Sequence, residues 1–145
     1  MIFIIISSIF CLDRLTKILA SNYLSLRQSL PVIQGAFHLT LIHNRGAAFG
    51  MLKNQLFLFI FSAFLALFLI WVDLSNRKVK RPLLYRVALA LIFAGALGNL
   101  VDRFLLGYVI DFLDFRIWPV FNIADSAITV GAVLLAYSIL KLKIK

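Results

Sequence analysis

The chain has 145 residues, of which 63% are hydrophobic and 14% charged, with a mean hydropathy of +1.00, a formal net charge of +9 and no glutamate. A soluble domain carries charge on roughly a quarter of its residues, so this composition excludes an ordinary water-soluble protein and makes the bilayer the solvent. The basic excess lies in short stretches beside long apolar runs, where membrane topology and anionic lipid account for it, so nucleic acid is not the implied partner.

A helix needs about 20 mostly apolar residues to cross the hydrocarbon. Four segments meet that need, which predicts an all-α integral membrane protein with four transmembrane helices and a small β-sheet-containing segment outside the membrane, in one domain over residues 1–145. The first span, about Ile2 to Tyr23, is apolar as far as Leu12 and then carries Asp13, Arg14 and Lys17. Asp13 and Lys17 stand one helical turn apart on one face near the outer end, the spacing of an ion pair. Cys11, the one cysteine, rules out an intramolecular disulfide or a cysteine metal cluster and reads as a small apolar filler. A lipoprotein signal ending at Cys11 is the weaker reading, because no basic stretch precedes the apolar run and the bulky Phe10 stands before the cysteine.

The connection from about Leu24 to Gln55 is more than a linker. In "LPVIQGAFHLTLI" two β-prone runs flank Gln34-Gly35, and Phe37, Leu39 and Leu41 alternate with His38 and Thr40, which predicts a hairpin or small sheet. Its open edges cannot face hydrocarbon, so it belongs on the outer membrane surface. "HNRGAAFGM" follows, rich in small residues that permit sharp turns and close backbone approach.

The second span, Leu56 to Val72, has no charge. After it "DLSNRKVKRPLLYR" supplies Arg77, Lys78, Lys80, Arg81 and Arg86 against Asp73, and the C-terminal tail adds Lys141, Lys143 and Lys145. The opposite side holds most of the acids, so the positive-inside rule places both termini in the cytoplasm. The third span, about Leu83 to Asp102, shows a small-residue face at Ala90, Ala94 and Gly98, which suits close helix packing. Its last outer turn carries Asn99, Asp102 and Arg103, with Asn99 and Arg103 on one face. An Asp102–Arg103 pair would close the helix end; equally, a carboxamide and a guanidinium facing a cleft would hold a peptide backbone.

Four of the six acidic residues fall between Gly98 and Gly131. Asp111 lies in "GYVIDF" just beyond the third span, and Asp125 opens the fourth, about Ala124 to Leu140, so both belong to the same outer interface. Two carboxylates brought together share a proton, one serving as base toward water while the other donates to a substrate carbonyl, as in aspartic proteases. Spacing leaves alternatives open: Asp125 equally suits a helix N-cap, and Asp114 competes with Asp111 as its partner. Other hydrolase chemistries lack their parts, since there is no "HExxH" zinc motif and no "GxSxG" elbow, and His38 and His43 read as surface polar residues. No metal and no cofactor is implied.

In this order, "DRLTK", "NRGAAFG", "GNLVDR", "VIDF" and "FNIADSAI" resemble the bacterial lipoprotein signal peptidase family, signal peptidase II, over nearly the whole chain. The resemblance implies a catalytic dyad of Asp111 and Asp125, with Asp114 outside it. It also implies that Asn44, Asn99, Arg103 and Asn122 bind substrate or position the dyad, and that Asp13, Lys17 and Asp102 give structural support. The implied substrate is a diacylglyceryl prolipoprotein, cut just before its lipidated cysteine in the bacterial inner membrane, amid membrane lipid; separately from the resemblance, a monomer is expected. Two features depart from the pattern: no basic lead precedes the first span, and "FLDFRIWPVFNIA" is short for a lid, although Trp118 and Phe121 suit an interfacial aromatic belt. The rival readings are a proton-coupled transporter, which would need an acid near mid-bilayer where these spans have none, and a scaffold whose aspartates merely cap helices.

Overall fold

The computed structural model describes residues 1–46, 55–76 and 78–143. Its elements run α1 (Ile2–Tyr23), β1 (Ser29–Ile33), β2 (Phe37–Asn44), α2 (Leu56–Ser75), α3 (Leu83–Leu106), β3 (Val109–Asp114) and α4 (Ile123–Lys143). Most of "NRGAAFG" lies outside the described residues, and so does the cradle expected from it. Helices α2, α3 and α4 are each long and apolar enough to cross a membrane. In α2 the apolar character runs all round the helix, yet only 6% of its most apolar stretch is buried inside the protein. Phe57, Phe61, Phe64, Phe68 and Trp71 point outward, and an apolar helix left uncovered by protein needs lipid around it. Helix α1 has comparable length, but Asp13 and Lys17 interrupt its apolar run, and both are buried; Asp13 stands near the middle of this 22-residue helix and not, as expected, near its outer end, and it is held there in an ion pair with Lys17.

The helices outlast the predicted spans: α2 continues past Val72 to Ser75, α3 past Asp102 to Leu106 and α4 past Leu140 to Lys143. Hydropathy marks where lipid contact ends, whereas backbone hydrogen bonding decides where a helix ends. Helix α3 stops at Gly107, whose left-handed φ of 78° lets its N–H donate to the Arg103 carbonyl at 3.1 Å.

Small residues bring α3 and α4 together. Ala88, Ala90 and Ala94 are fully buried, and the predicted face of Ala90, Ala94 and Gly98 lies in the helix packing. A Cβ at Gly95 would collide with the Ala124 carbonyl oxygen and the Ile128 side chain, and one at Gly131 would press on the Ala88 carbonyl and Ile92. Backbone cannot yield as a flexible side chain can. Gly95→Ala is therefore expected to destabilise the protein by about 1–3 kcal/mol through overpacking, read as a lower midpoint of thermal unfolding in detergent.

The two ends of the helix bundle differ in character. At one end Phe3 of α1, Trp71 and Ser75 of α2 and Arg86 of α3 line a common apolar cavity, with the basic α2–α3 connection beside it. The other end holds the polar half of α1, the end of α3, the start of α4 and the sheet. That sheet is antiparallel, in the order β1-β2-β3. The β1–β2 hairpin matches the sequence expectation and turns at Gly35, where φ is +76°. Strand β3 was not expected, because "VIDFLD" is buried at nearly every position and lacks the alternation that marks a half-exposed strand. Leu41, Ile110 and Phe112 pack on Ala20 of α1 and on Leu24 just after it, fixing the sheet to the bundle. Beyond β3 the chain doubles back: the Leu113 N–H donates to the Phe121 carbonyl at 2.8 Å and the Phe121 N–H returns to the Leu113 carbonyl at 3.0 Å. This reversal starts α4 beside β3.

Candidate active site

Asp111 sits on β3 with 1% of its surface exposed. Ile42 pairs with it across the β2–β3 ladder, and Asn44, two residues on and therefore on the same face, reaches it diagonally. The Asn44 carboxamide donates to Asp111 Oδ2 at 2.9 Å, and Asn122 Nδ2 donates to Asp111 Oδ1 at 2.7 Å. Asn122 precedes α4 and is fully buried.

Asp125 occupies the first turn of α4, and its placement follows from a reciprocal cap. The Asp125 N–H donates to Asn122 Oδ1 at 2.8 Å, while the Asn122 N–H donates to Asp125 Oδ2 at 3.3 Å. This is a capping box built from asparagine and aspartate, so the N-cap belongs to Asn122, and Asp125 is the residue that reaches back. Asn99 Nδ2 donates to the remaining oxygen, Asp125 Oδ1, at 2.7 Å. Asn122 thus touches both carboxylates, one through its side chain and the other through its backbone.

Both aspartates open onto a cavity of about 240 Å³, whose wall includes Asn44, Asn99, Arg103 and Trp118. Arg103 lies one turn beyond Asn99, packs its guanidinium over the Phe59 ring at 5.0 Å from the centroid, and donates to the Asn99 carbonyl at 3.5 Å. A planar cation with a fork of N–H donors in the wall of such a cavity suits a carbonyl or another oxygen ligand. Burial, and then the charge of neighbouring Asp125, push the Asp111 carboxyl up to about 7, against the hydrogen bonds from Asn44 and Asn122. A carboxyl that keeps its proton near neutrality can donate it.

Behind the pair lies a buried ionic cluster. Lys17 Nζ sits 2.9 Å from Asp13 Oδ2 and 2.8 Å from Asp102 Oδ2, all three side chains having no exposed surface. The predicted Asp13–Lys17 pair is present. Asp102 departs from expectation: its partners are Lys17, Arg14 and the Ile110 N–H at 3.2 Å, and not Arg103. Successive residues on a helix point about 100° apart, so Asp102 faces α1 while Arg103 faces the cavity. Arg14 was missed, since sequence spacing marks pairs along one helix and this partner lies on another.

Asp114 is held apart from the pair by Thr40 Oγ1 at 2.7 Å and Arg116 Nη1 at 3.0 Å. His43 stacks on Tyr108 with ring centroids 4.0 Å apart, and His38 Nδ1 meets Ser29 Oγ at 3.0 Å. Neither histidine is among the groups that hold the two aspartates. Among the described residues no group of His, Cys, Asp and Glu is arranged to hold a metal ion.

The family model described as signal peptidase (SPase) II matches residues 5–141. The chain belongs to the signal peptidase II family. A lipoprotein signal peptidase of Caldanaerobacter subterraneus subsp. tengcongensis is 48% identical over 139 residues, covering 94% of each chain. That of Clostridioides difficile is 47% identical over 131 residues, 89% of this chain and 87% of its own. A solved structure described as a bacterial membrane enzyme, obtained by the in meso method, superposes with a TM-score of 0.90 at 34% identity, covering 97% of this chain and 87% of that one. As a signal peptidase II, the chain is a membrane-embedded hydrolase of the aspartic type, removing signal peptides from lipoprotein precursors.

Proposed function

We propose that Asp111 and Asp125 are the catalytic dyad of this signal peptidase II, and that they cut a diacylglyceryl prolipoprotein just before its lipidated cysteine. The observation that carries the assignment is Asn122, whose side chain donates to Asp111 while its backbone donates to Asp125, holding both acids on one cavity wall. Asp125 sits at the positive end of the α4 dipole with two donors on its carboxylate, which suits the ionised partner. Asp111, the more protonated partner, is then the acid. In the reaction Asp125 takes a proton from water, whose oxygen attacks the scissile carbonyl carbon while Asp111 gives its proton to the carbonyl oxygen. The tetrahedral diol collapses by breaking the carbon–nitrogen bond; the departing nitrogen takes the proton from Asp125, and a diol hydroxyl returns one to Asp111. Arg103 and Asn99 hold the substrate backbone and the dyad, and Asn44 and Asn122 keep Asp111 in line.

In this reading the chain is a single membrane-embedded domain that crosses the bacterial inner membrane four times. Helix α1, with 22 residues and thus about 33 Å long, matches the hydrocarbon, and its Asp13 and Lys17 face protein, not lipid. The basic α2–α3 connection and the C-terminal lysines favour the cytoplasmic side for both termini, which leaves the dyad and sheet at the outer face. Every group of the dyad comes from one chain, so a monomer suffices.

A signal helix and two acyl chains both partition into the bilayer and would deliver the scissile bond to the interface. Purified protein in lipid or detergent is expected to cleave a diacylglyceryl precursor with kcat/KM about tenfold or more above that for the same precursor without lipid. Equal values for the two precursors would refute the lipidated substrate.

A further inference from the structure

The buried cluster on α1 does more than neutralise itself. Lys17 forms ion pairs with the carboxylates of Asp13 and Asp102 and donates a hydrogen bond to Asn99 Oδ1 at 2.9 Å. An ammonium cannot accept a hydrogen bond, so only the oxygen of the Asn99 carboxamide can face it. The amide nitrogen must then point the other way, and there it donates to Asp125 Oδ1 at 2.7 Å. With the carboxamide turned over, an N–H would face the ammonium and an oxygen would face a carboxylate. Asp13 acts on the same aspartate through the backbone: its Oδ1 accepts the Ala124 N–H at 2.9 Å, fixing the first turn of α4 one residue before Asp125.

We infer that Lys17 is a positioning residue for catalysis: with Asp13 and Asp102 it sets the Asn99 carboxamide so that its N–H group holds Asp125 as the base. The inference rests on the proposed dyad and adds a role that burial and pairing alone do not require. Lys17 is fully buried and does not line the cavity that the dyad opens onto, so its effect belongs on turnover and not on substrate binding.

The charges around Asp111 of β3 and Asp125 of α4 are Lys17 from α1, itself paired with Asp13 and with the Asp102–Arg14 pair, and Arg103 from α3, while β2 contributes the neutral Asn44. The charge on Lys17 opposes the upward push on Asp111, so its removal raises that carboxyl further and moves the alkaline limb of the rate profile to higher pH.

Lys17→Met alone leaves two buried carboxylates with less compensation and threatens the fold. The informative variant is therefore Lys17→Met with Asp102→Asn, which removes one charge of each sign and so leaves the net charge of the cluster unchanged. Assayed per folded molecule, by thermal unfolding alongside kinetics on a diacylglyceryl precursor, the double variant is expected to lose about tenfold or more in kcat. KM should stay within about twofold and the alkaline limb should shift upward. A folded double variant with wild-type kcat and pH profile would overturn the inference, as would a loss of activity that only tracks the fraction unfolded. Asp111→Asn and Asp125→Asn, run beside it, separate the two readings: if they are inactive while the double variant is fully active, the dyad stands and the role of Lys17 falls.

Discussion

Asp111→Asn and Asp125→Asn are each expected to cut the turnover of a diacylglyceryl prolipoprotein by a factor of about 10³–10⁴ while the protein stays folded. In the proposed dyad each change removes one half of a proton exchange. Without the Asp125 carboxylate no base takes the proton from water, and without an acid at 111 the carbonyl oxygen gains charge with no proton to meet it. Carboxamides fill nearly the same volume, and α4 still starts at the Asn122 cap, so loss of activity should come without loss of the helix bundle. Near-normal cleavage by either variant would exclude the dyad and leave Asp125 as a capping residue. The wild-type pH profile carries an independent sign. Asp111 keeps its proton up to about 7, because burial and the Asp125 charge disfavour its ionised form. As pH rises through that value the acid is lost, so kcat/KM should fall on the alkaline side near neutrality, in a titration belonging to the coupled pair. A rate that stays flat from pH 6 to pH 9 would contradict Asp111 as the acid.

The membrane class, the helices and the hairpin were legible because each leaves a one-dimensional trace: a long apolar run, an alternation, a glycine at a turn. Asp13 with Lys17 was legible for the same reason, both lying on one helix face. Strand β3 left no such trace, since burial on both faces removes the alternation, and the pairing of Leu113 with Phe121 that brings β3 to α4 is tertiary. For that reason spacing alone could not choose between Asp111 and Asp114, which are three residues apart on one strand and therefore face opposite sides of the sheet. Asp111 points to Asn44 and Asn122, whereas Asp114 points to Thr40. The family motifs made that choice where periodicity could not. The neighbours Asp102 and Arg103 show the converse error, in which adjacency suggested a pair and the helix turned them apart.

Asn122→Ala tests the joint on which this geometry turns, and its effect should be second only to loss of an acid. Its amide nitrogen donates to Asp111 Oδ1 at 2.7 Å, Asn99 Oδ1 at 3.1 Å and the Ile110 carbonyl at 3.2 Å, and its oxygen caps the Asp125 N–H. Loss of the cap alone costs about 0.5–2 kcal/mol, and each buried acceptor left without a donor costs about 1–3 kcal/mol. Asn99 Oδ1 keeps Lys17 and Asp111 keeps Asn44, so the protein should fold with a lowered unfolding midpoint. Catalysis suffers more than stability, because one side chain sets the separation and facing of both carboxylates. Turnover on a diacylglyceryl precursor is expected to fall on the order of a hundredfold or more. Asn122→Asp supplies the control: its oxygen can still cap α4, but it brings a third acid against Asp111 in place of a donor. Helix capping should survive in Asn122→Asp and activity should not. If Asn122→Asp cleaves at the wild-type rate, the donor to Asp111 is dispensable and Asn122 is no more than a helix cap.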